Sequence, residues 1–218
     1  MAGKLYIGTR RYSSWSLRGW LVVRLAGLEV EEVMIPILGG NTPAVKAVSP
    51  NGMMPYLEHE GARVFETLAI AEYCAEIFPA LWPADRLARA HARSISAEMH
   101  AGFRGLRTAM SMNLGRSAPG QGRTPECLAD IARIEAIWTG ARAAYGAGGP
   151  YLFGADFTAA DAMFAPVVSR FLAFQPELSA VAQAYCAAVR AHPLVTDWYD
   201  KAAQEPVAWR LEKFESLT

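Results

Sequence analysis

Three serine hydroxyls stand close together in Tyr12-Ser13-Ser14-Trp15-Ser16-Leu17-Arg18, between a short strand-like run and a segment whose apolar residues recur at helical spacing. The first N–H groups of a helix lack intrahelical partners and lie at the positive end of its macrodipole, so a serine there caps the helix or holds a thiolate or oxyanion. From the residues alone both roles are open. Thr158-Ala159-Ala160-Asp161 marks another helix start, where Thr158 can accept from the N3 amide and Asp161 can reach back to the N-cap amide. That pair needs no ligand and reads as structural. The cysteines, Cys74, Cys127 and Cys186, are odd in number, far apart and set in helical patterns, which fits buried reduced thiols better than a disulfide framework. Of the histidines, His59, His91, His100 and His192, the pair His91 and His100 is nine residues apart and does not repeat a helix face, so no metal site is expected.

The elements that must position these groups read in order. Leu5-Tyr6-Ile7 is a strand; Leu17, Trp20, Leu21 and Leu25 recur at offsets of three and four, and Gly27 follows as a C′ glycine. Val33-Met34-Ile35-Pro36-Ile37 alternates like a strand, and its proline, lacking an N–H, confines it to a sheet edge. A polar, glycine-rich stretch from Gly39 to Gly52, a loop or short helix, leads to Met54-Pro55-Tyr56-Leu57-Glu58, a turn at His59-Glu60-Gly61, and Arg63-Val64-Phe65, which form an antiparallel hairpin. A helix from Thr67, with Ile70, Cys74 and Ile77 on one face, ends before Pro79. Beyond Pro83 strand signals vanish. Residues 85–114 read as one long helix with Ile95, Met99, Phe103, Leu106 and Met110 on a face; further helices cover 126–145, a segment from Thr158, Leu178 to Ala191 and Leu194 to Gln204.

The chain is thus expected to be α+β: a unit over 1–80 with a small four-stranded mixed sheet, then an all-helical bundle over 85–218. Its 218 residues suffice for two modest cores. With 21 basic against 21 acidic residues and 52% hydrophobic composition, no nucleic-acid or anionic-membrane partner is implied. Apolar runs such as Phe164-Ala165-Pro166-Val167-Val168 fall far short of the roughly 20 residues a membrane helix needs. Met1-Ala2-Gly3-Lys4 runs straight into the first strand with no secretory pattern, so a cytosolic location is expected.

The serine at the first helix start, Met54-Pro55 before the third strand within Ser49-Pro50-Asn51-Gly52-Met53-Met54-Pro55, Glu66-Thr67 opening the next helix and the all-helical second half together resemble the soluble glutathione transferase family. The resemblance spans nearly the whole chain. It implies a thioredoxin-like domain that binds glutathione and a helical domain that walls the site of a second, apolar substrate. Ser13-Ser14-Trp15-Ser16-Leu17-Arg18 is most similar to the serine-type members, the zeta class above all, whose pattern is Ser-Ser-Cys-x-Trp-Arg; Trp15 replaces the cysteine and Leu17 the tryptophan. Against that pattern Ser13 is the catalytic serine and Ser14 the next candidate.

The resemblance also implies that Met54-Pro55 is a cis-proline turn whose backbone pairs with the cysteinyl unit of glutathione, a geometry found at only about 5–6% of X–Pro bonds. It implies that Glu66 and Thr67 hold the γ-glutamyl amine and carboxylate; Thr67 serves equally as an N-cap. Met53 stands where a lysine or glutamine is frequent, removing one polar contact. Tyr6, near the end of the first strand, is the competing catalytic residue and reads as core. Tyr12, Phe103, Arg107, Met110 and Trp209 are candidates for the second-substrate wall. Arg10 and Arg11 read as solvated, with the option of attracting an acidic substrate. The implied function is a homodimeric glutathione transferase, with glutathione as co-substrate and no metal. The alternatives are a glutathione-dependent isomerase of a maleyl-type diacid, and a non-catalytic interaction module.

Overall fold

The computed structural model describes residues 3–216. Strand β1 (Gly3–Gly8) leads into helix α1 (Ser14–Leu25), β2 (Val30–Ile35), the short α2 (Pro43–Val48), the hairpin β3 (Tyr56–His59) and β4 (Ala62–Phe65), and α3 (Thr67–Ile77). The sheet order is β2-β1-β3-β4, with β1 and β2 parallel and the other pairs antiparallel. Alternation along the strands puts Leu5, Ile7 and Leu57 on the face where α1 and α3 pack. The second strand lies at the edge as expected, but it starts at Val30 and stops before Pro36, the point where the missing N–H ends the ladder. The hairpin turn holds Glu60 and Gly61 at φ 49° and 85°, the two positive values that a two-residue connection between twisted strands requires.

The helical half contains α4 (Arg86–Ala101), α5 (Arg104–Ala109), α6 (Pro125–Tyr145), α7 (Ala159–Phe174), α8 (Ala180–Ala191), α9 (Pro193–Ala203) and the single turn α10 (Glu212–Glu215). The single helix expected over 85–114 is two helices. The chain breaks at Gly102, and Phe103 takes a left-handed φ of 61°. The Arg107 guanidinium donates to the carbonyls of Gly102 (3.0 Å) and Met99, satisfying the orphaned end of α4. Periodicity could not reveal the break, because Ile95, Met99, Phe103, Leu106 and Met110 are all buried on both sides of it.

Helix α7 is buried along nearly its whole length and forms the axis of the bundle. Trp138 of α6 meets Phe164, Phe171 and Tyr185 edge-on. Helix α1 packs against α3 on one side and against α7 and α9 on the other; Trp20 and Trp198 meet across the latter seam with ring centroids 5.3 Å apart. The two halves therefore share α1, whose N-terminus carries the serines. Among the described residues no helix is long and apolar enough to cross a membrane.

The C-terminal segment is pinned across the β1–α1 loop. Arg11 donates twice to Glu215 (Nε 2.8 Å, Nη2 3.1 Å), the Tyr12 hydroxyl donates to the same carboxylate, and Asn113 donates to the Phe214 carbonyl (2.8 Å). The Arg11 hydrogen bonds, more than any other contact, hold the Glu215 carboxyl down at about 2 from 4.5. A depressed carboxylate pKa stabilises the docked form above the ordinary value and loses that contribution as pH falls toward the depressed one. Docking of this segment, followed by Trp209 fluorescence, is expected to loosen as pH falls from 4.5 toward 2, and Glu215→Gln to flatten that dependence.

Candidate functional site

Ser13 is the N-cap of α1, with φ −82° and ψ 90°. Its Oγ accepts from the Ser16 N–H (3.3 Å) and its hydroxyl donates to Ser16 Oγ (2.8 Å). The capped end opens on a cleft of ≈ 500 Å³ lined by Ser13, Met54, Pro55, Glu66 and Thr67 together with Trp15, Ile37, Lys46, Asn51, Met53 and His100. Five residues singled out in the sequence thus meet in one cavity. Ser14, next in the chain, is buried and is not among the lining residues; its N–H donates to the Tyr12 carbonyl (3.0 Å). Of the two serines, Ser13 is the one that lines the cleft.

The Met54–Pro55 peptide is cis and stands just before β3. Pro55 lies so close to α1 that a Cβ on Gly19 would sit 2.5 Å from its Cγ. Glycine at 19 is therefore a condition of the turn's position. In Gly19→Ala the overpacking cost of about 1–3 kcal/mol exceeds the roughly 1 kcal/mol that alanine gains over glycine inside a helix. The variant is expected to lose stability and to bind a ligand of this cleft more weakly, checked by thermal unfolding and calorimetric titration.

On the opposite wall Glu66 is the N-cap of α3 and Thr67 its first helical residue, so the cap falls one position before Thr67. Glu66 holds φ 71°, a strained value for a side-chain-bearing residue. Its carboxylate accepts from Asn51 Nδ2 (3.1 Å) and lies 3.7 Å from His100 Nε2. Burial, and after it the positive Arg18 and Arg107, push the His100 imidazole below its usual pKa against the opposing pull of Glu66. His100 comes from the end of α4, so the cleft spans both halves of the chain.

Trp15 faces the cleft between two guanidiniums, Arg18 at 4.8 Å and Arg107 at 4.7 Å from its ring centroid, with His100 edge-on at 5.0 Å. Arg18 is fully buried and donates to the Met163 carbonyl (2.7 Å); burial, then Arg107 and Arg170, hold its pKa well below the usual value. The sequence treated Trp15 only as a substitute for a cysteine and His100 only as a failed metal ligand. Neither spacing nor periodicity carries a signal that they converge.

None of the five residues expected to form the second-substrate wall is among those lining this cleft. Tyr12 is buried under the C-terminal segment, its ring 5.2 Å from Phe214. Phe103 sits at the helix break, Met110 is fully buried, and Trp209 borders a small separate recess beside Arg11. Arg107 reaches the cleft only through the Trp15 ring. Arg10 and Arg11, expected to be solvated, are consumed by carboxylates: Arg10 Nη2 donates to Glu32 (2.6 Å) and Arg11 to Glu215. Tyr6 lies outside the cleft, donating to Glu58 (3.2 Å) and stacked on Tyr56.

Cys74, Cys127 and Cys186 are free and buried, and burial pushes their thiols up to about 12, 11 and 12. None is a thiolate at neutral pH. What the cleft offers is the positive end of α1 with a hydroxyl, the backbone of Met54 just before β3, the N-terminus of α3, one acid in Glu66, the cation of Lys46, and an apolar flank of Ile37 and Trp15. That combination suits a zwitterionic peptide-like ligand with a soft anion at one end.

Comparison with known proteins bears on these features. Residues 12–77 match the family model described as glutathione S-transferase, N-terminal domain, and residues 121–201 the one described as glutathione S-transferase, C-terminal domain. Among curated relatives, glutathione S-transferase L3 of Arabidopsis thaliana is 33% identical over 89 residues, 37% of this chain and 38% of that protein. A probable maleylacetoacetate isomerase of Caenorhabditis elegans is 31% identical over 105 residues, 47% of this chain and 48% of that protein. The chain thus matches less than half the length of these curated relatives. A glutathione transferase homolog from Burkholderia GL BGR1, solved with bound glutathione, superposes with a TM-score of 0.70 at 23% identity, covering 94% of this chain and all of that one.

Proposed function

The chain belongs to the glutathione S-transferase family, and from that premise we propose that it binds glutathione in the cleft between α1, β3 and α3 and activates it as a thiolate for attack on an electrophilic, apolar small molecule. The observation that carries this reading is Ser13 at the capped end of α1, in one cavity with Met54, Pro55, Glu66 and Thr67. Ser13 donates to the sulfur, Met54 pairs through its backbone with the cysteinyl unit, and Glu66 and Thr67 take the γ-glutamyl end, its carboxylate facing the N-terminus of α3.

An ordinary thiol is mostly protonated at neutral pH, and the thiolate is the nucleophile. The Ser13 hydroxyl and the positive end of α1 favour the charged form and so lower the thiol pKa. The thiolate then forms a C–S bond as a leaving group departs from the attacked carbon, or as the electrons of an activated double bond move away and are protonated. Trp15 and Ile37 form the apolar flank against which the second substrate rests. Residues 1–80 are the glutathione-binding unit and 85–218 supply the opposite wall. The protein works as a cytosolic homodimer.

The Caenorhabditis elegans relative's name supports a second reading, a glutathione-dependent isomerase of a maleyl-type diacid. Against it, Arg10 and Arg11 of the loop before α1 are already paired with carboxylates, and Arg18 is fully buried with its guanidinium on the Met163 carbonyl. The test is calorimetric titration with glutathione, followed by incubation with an aryl halide and, separately, with a maleyl-type cis diacid. Loss of glutathione in step with thioether formation supports the transferase, and diacid turnover with glutathione unchanged supports the isomerase. Binding without either reaction, or no binding at all, overturns both enzyme readings and leaves the interaction module.

A further inference from the structure

Ser16 is fully buried in the first turn of α1 and is not among the residues lining the cleft. Its Oγ accepts the N–H of Gly8 at 2.9 Å and the hydroxyl of Ser13 at 2.8 Å, while its own N–H donates to Ser13 Oγ at 3.3 Å. A hydroxyl has one proton and two lone pairs. With the Gly8 N–H on one lone pair of Ser16, the 2.8 Å contact between the two hydroxyls can carry its proton in either direction. In one of the two directions Ser16 donates to Ser13, whose two lone pairs are then filled by the Ser16 N–H and O–H. That direction leaves the Ser13 proton for an acceptor in the cleft, and a bound thiolate is such an acceptor. The backbone supports the chain closely, since a Cβ on Gly8 would lie 2.7 Å from the Ile37 side chain and 3.5 Å from Ser13 Oγ.

We propose that Ser16 is a positioning residue that polarises Ser13, through a directed relay from the Gly8 N–H to Ser16 Oγ, from the Ser16 hydroxyl to Ser13 Oγ, and from the Ser13 hydroxyl to the thiolate of bound glutathione. This rests on the reading of Ser13 as the thiolate donor. Hydrogen bonds in such a chain strengthen one another, so Ser16 favours the charged form of a sulfur it never touches. Binding of the thiolate selects this direction for both hydroxyls. A neutral thioether in the same place accepts far more weakly and draws much less on the relay.

The experiment measures the thiol pKa of bound glutathione, from thiolate absorbance against pH, in wild type, Ser16→Ala, Ser13→Ala and the double variant, with the affinity for S-methylglutathione as the control for packing. Ser16→Ala is expected to raise the thiol pKa by about one unit, with S-methylglutathione affinity unchanged and no further shift in the double variant over Ser13→Ala. Should Ser16→Ala fold poorly, Ser16→Cys keeps a weak donor of similar size and is expected to give a smaller rise. A wild-type pKa in both Ser16 variants while Ser13→Ala raises it overturns the relay and leaves the role of Ser13 standing. Equal losses of S-methylglutathione and glutathione affinity without a pKa shift reduce Ser16 to packing. An unshifted pKa in Ser13→Ala removes the reading itself and the relay with it.

Discussion

Replacing Ser13 with alanine is expected to return the thiol pKa of bound glutathione toward its value in solution and to lower kcat/KM at neutral pH roughly 10- to 150-fold. The magnitude follows from the worth of a hydrogen bond to a charged group, about 1.5–3 kcal/mol, at about 1.4 kcal/mol per tenfold. The sign follows from which form the donor serves. Ser13 favours the ionised sulfur, so its loss raises the pKa and leaves a smaller thiolate fraction at any pH below the new value. The defect should shrink as pH rises past that value, where both enzymes carry a full thiolate, so a pH profile of kcat/KM separates lost activation from lost binding. The cap is lost too, at about 1 kcal/mol of helix stability. A parallel thermal scan measures that contribution. A uniform loss of kcat/KM across the whole pH range would contradict thiolate activation by Ser13.

The second large effect concerns stability rather than chemistry. Asp161 is fully buried at the start of α7, where its Oδ2 accepts the N–H of Thr158 (2.9 Å) and the Thr158 hydroxyl (3.0 Å). Its Oδ1 accepts the N–H of Leu152 (3.1 Å) and the Tyr185 hydroxyl (3.0 Å). One side chain thus ties the loop before α7 to its first turn and to α8. Asp161→Ala strands four buried donors at about 1–3 kcal/mol each, partly relieved by removing a buried charge, for a net loss on the order of 3–5 kcal/mol. For a chain of this size that is roughly 6–20 °C in Tm, read by calorimetry. Tyr185→Phe removes one donor and keeps the ring against Trp138, so it should cost about 1 kcal/mol. Burial raises the Asp161 carboxyl pKa, and its hydrogen bonds oppose that rise only in part. Protonation therefore favours the folded state, a contribution present at low pH and lost as pH rises through the folded value, and Asp161→Ala should lose that slope. A drop in Tm of a degree or two would show that the loop holds without the carboxylate.

Gly19, Asp161 and Ser13 mark the border between what the sequence determined and what the tertiary structure decided. The order of strands and helices, the hairpin at Glu60-Gly61, the Asp161 box at the start of α7 and the serine at the first helix start were legible because each depends on neighbours within a few residues: alternation, three-and-four spacing, turn residues and caps. The break at Gly102 was not legible, because a continuous apolar face runs through it and the guanidinium that stabilises it belongs to the second helix. The flank of the cleft was not legible either. Trp15 and His100 are 85 positions apart and meet only because α1 is packed between α3, α7 and α9. Likewise, Arg10 and Arg11 read as free charges until packing brings Glu32 of β2 to Arg10 and Glu215, 204 residues downstream, to Arg11. Sequence spacing specifies which groups an element presents and on which face. Which charges are neutralised, which hydroxyl faces the cleft and which ring walls it depend on contacts between distant elements, and those exist only once the helices have packed.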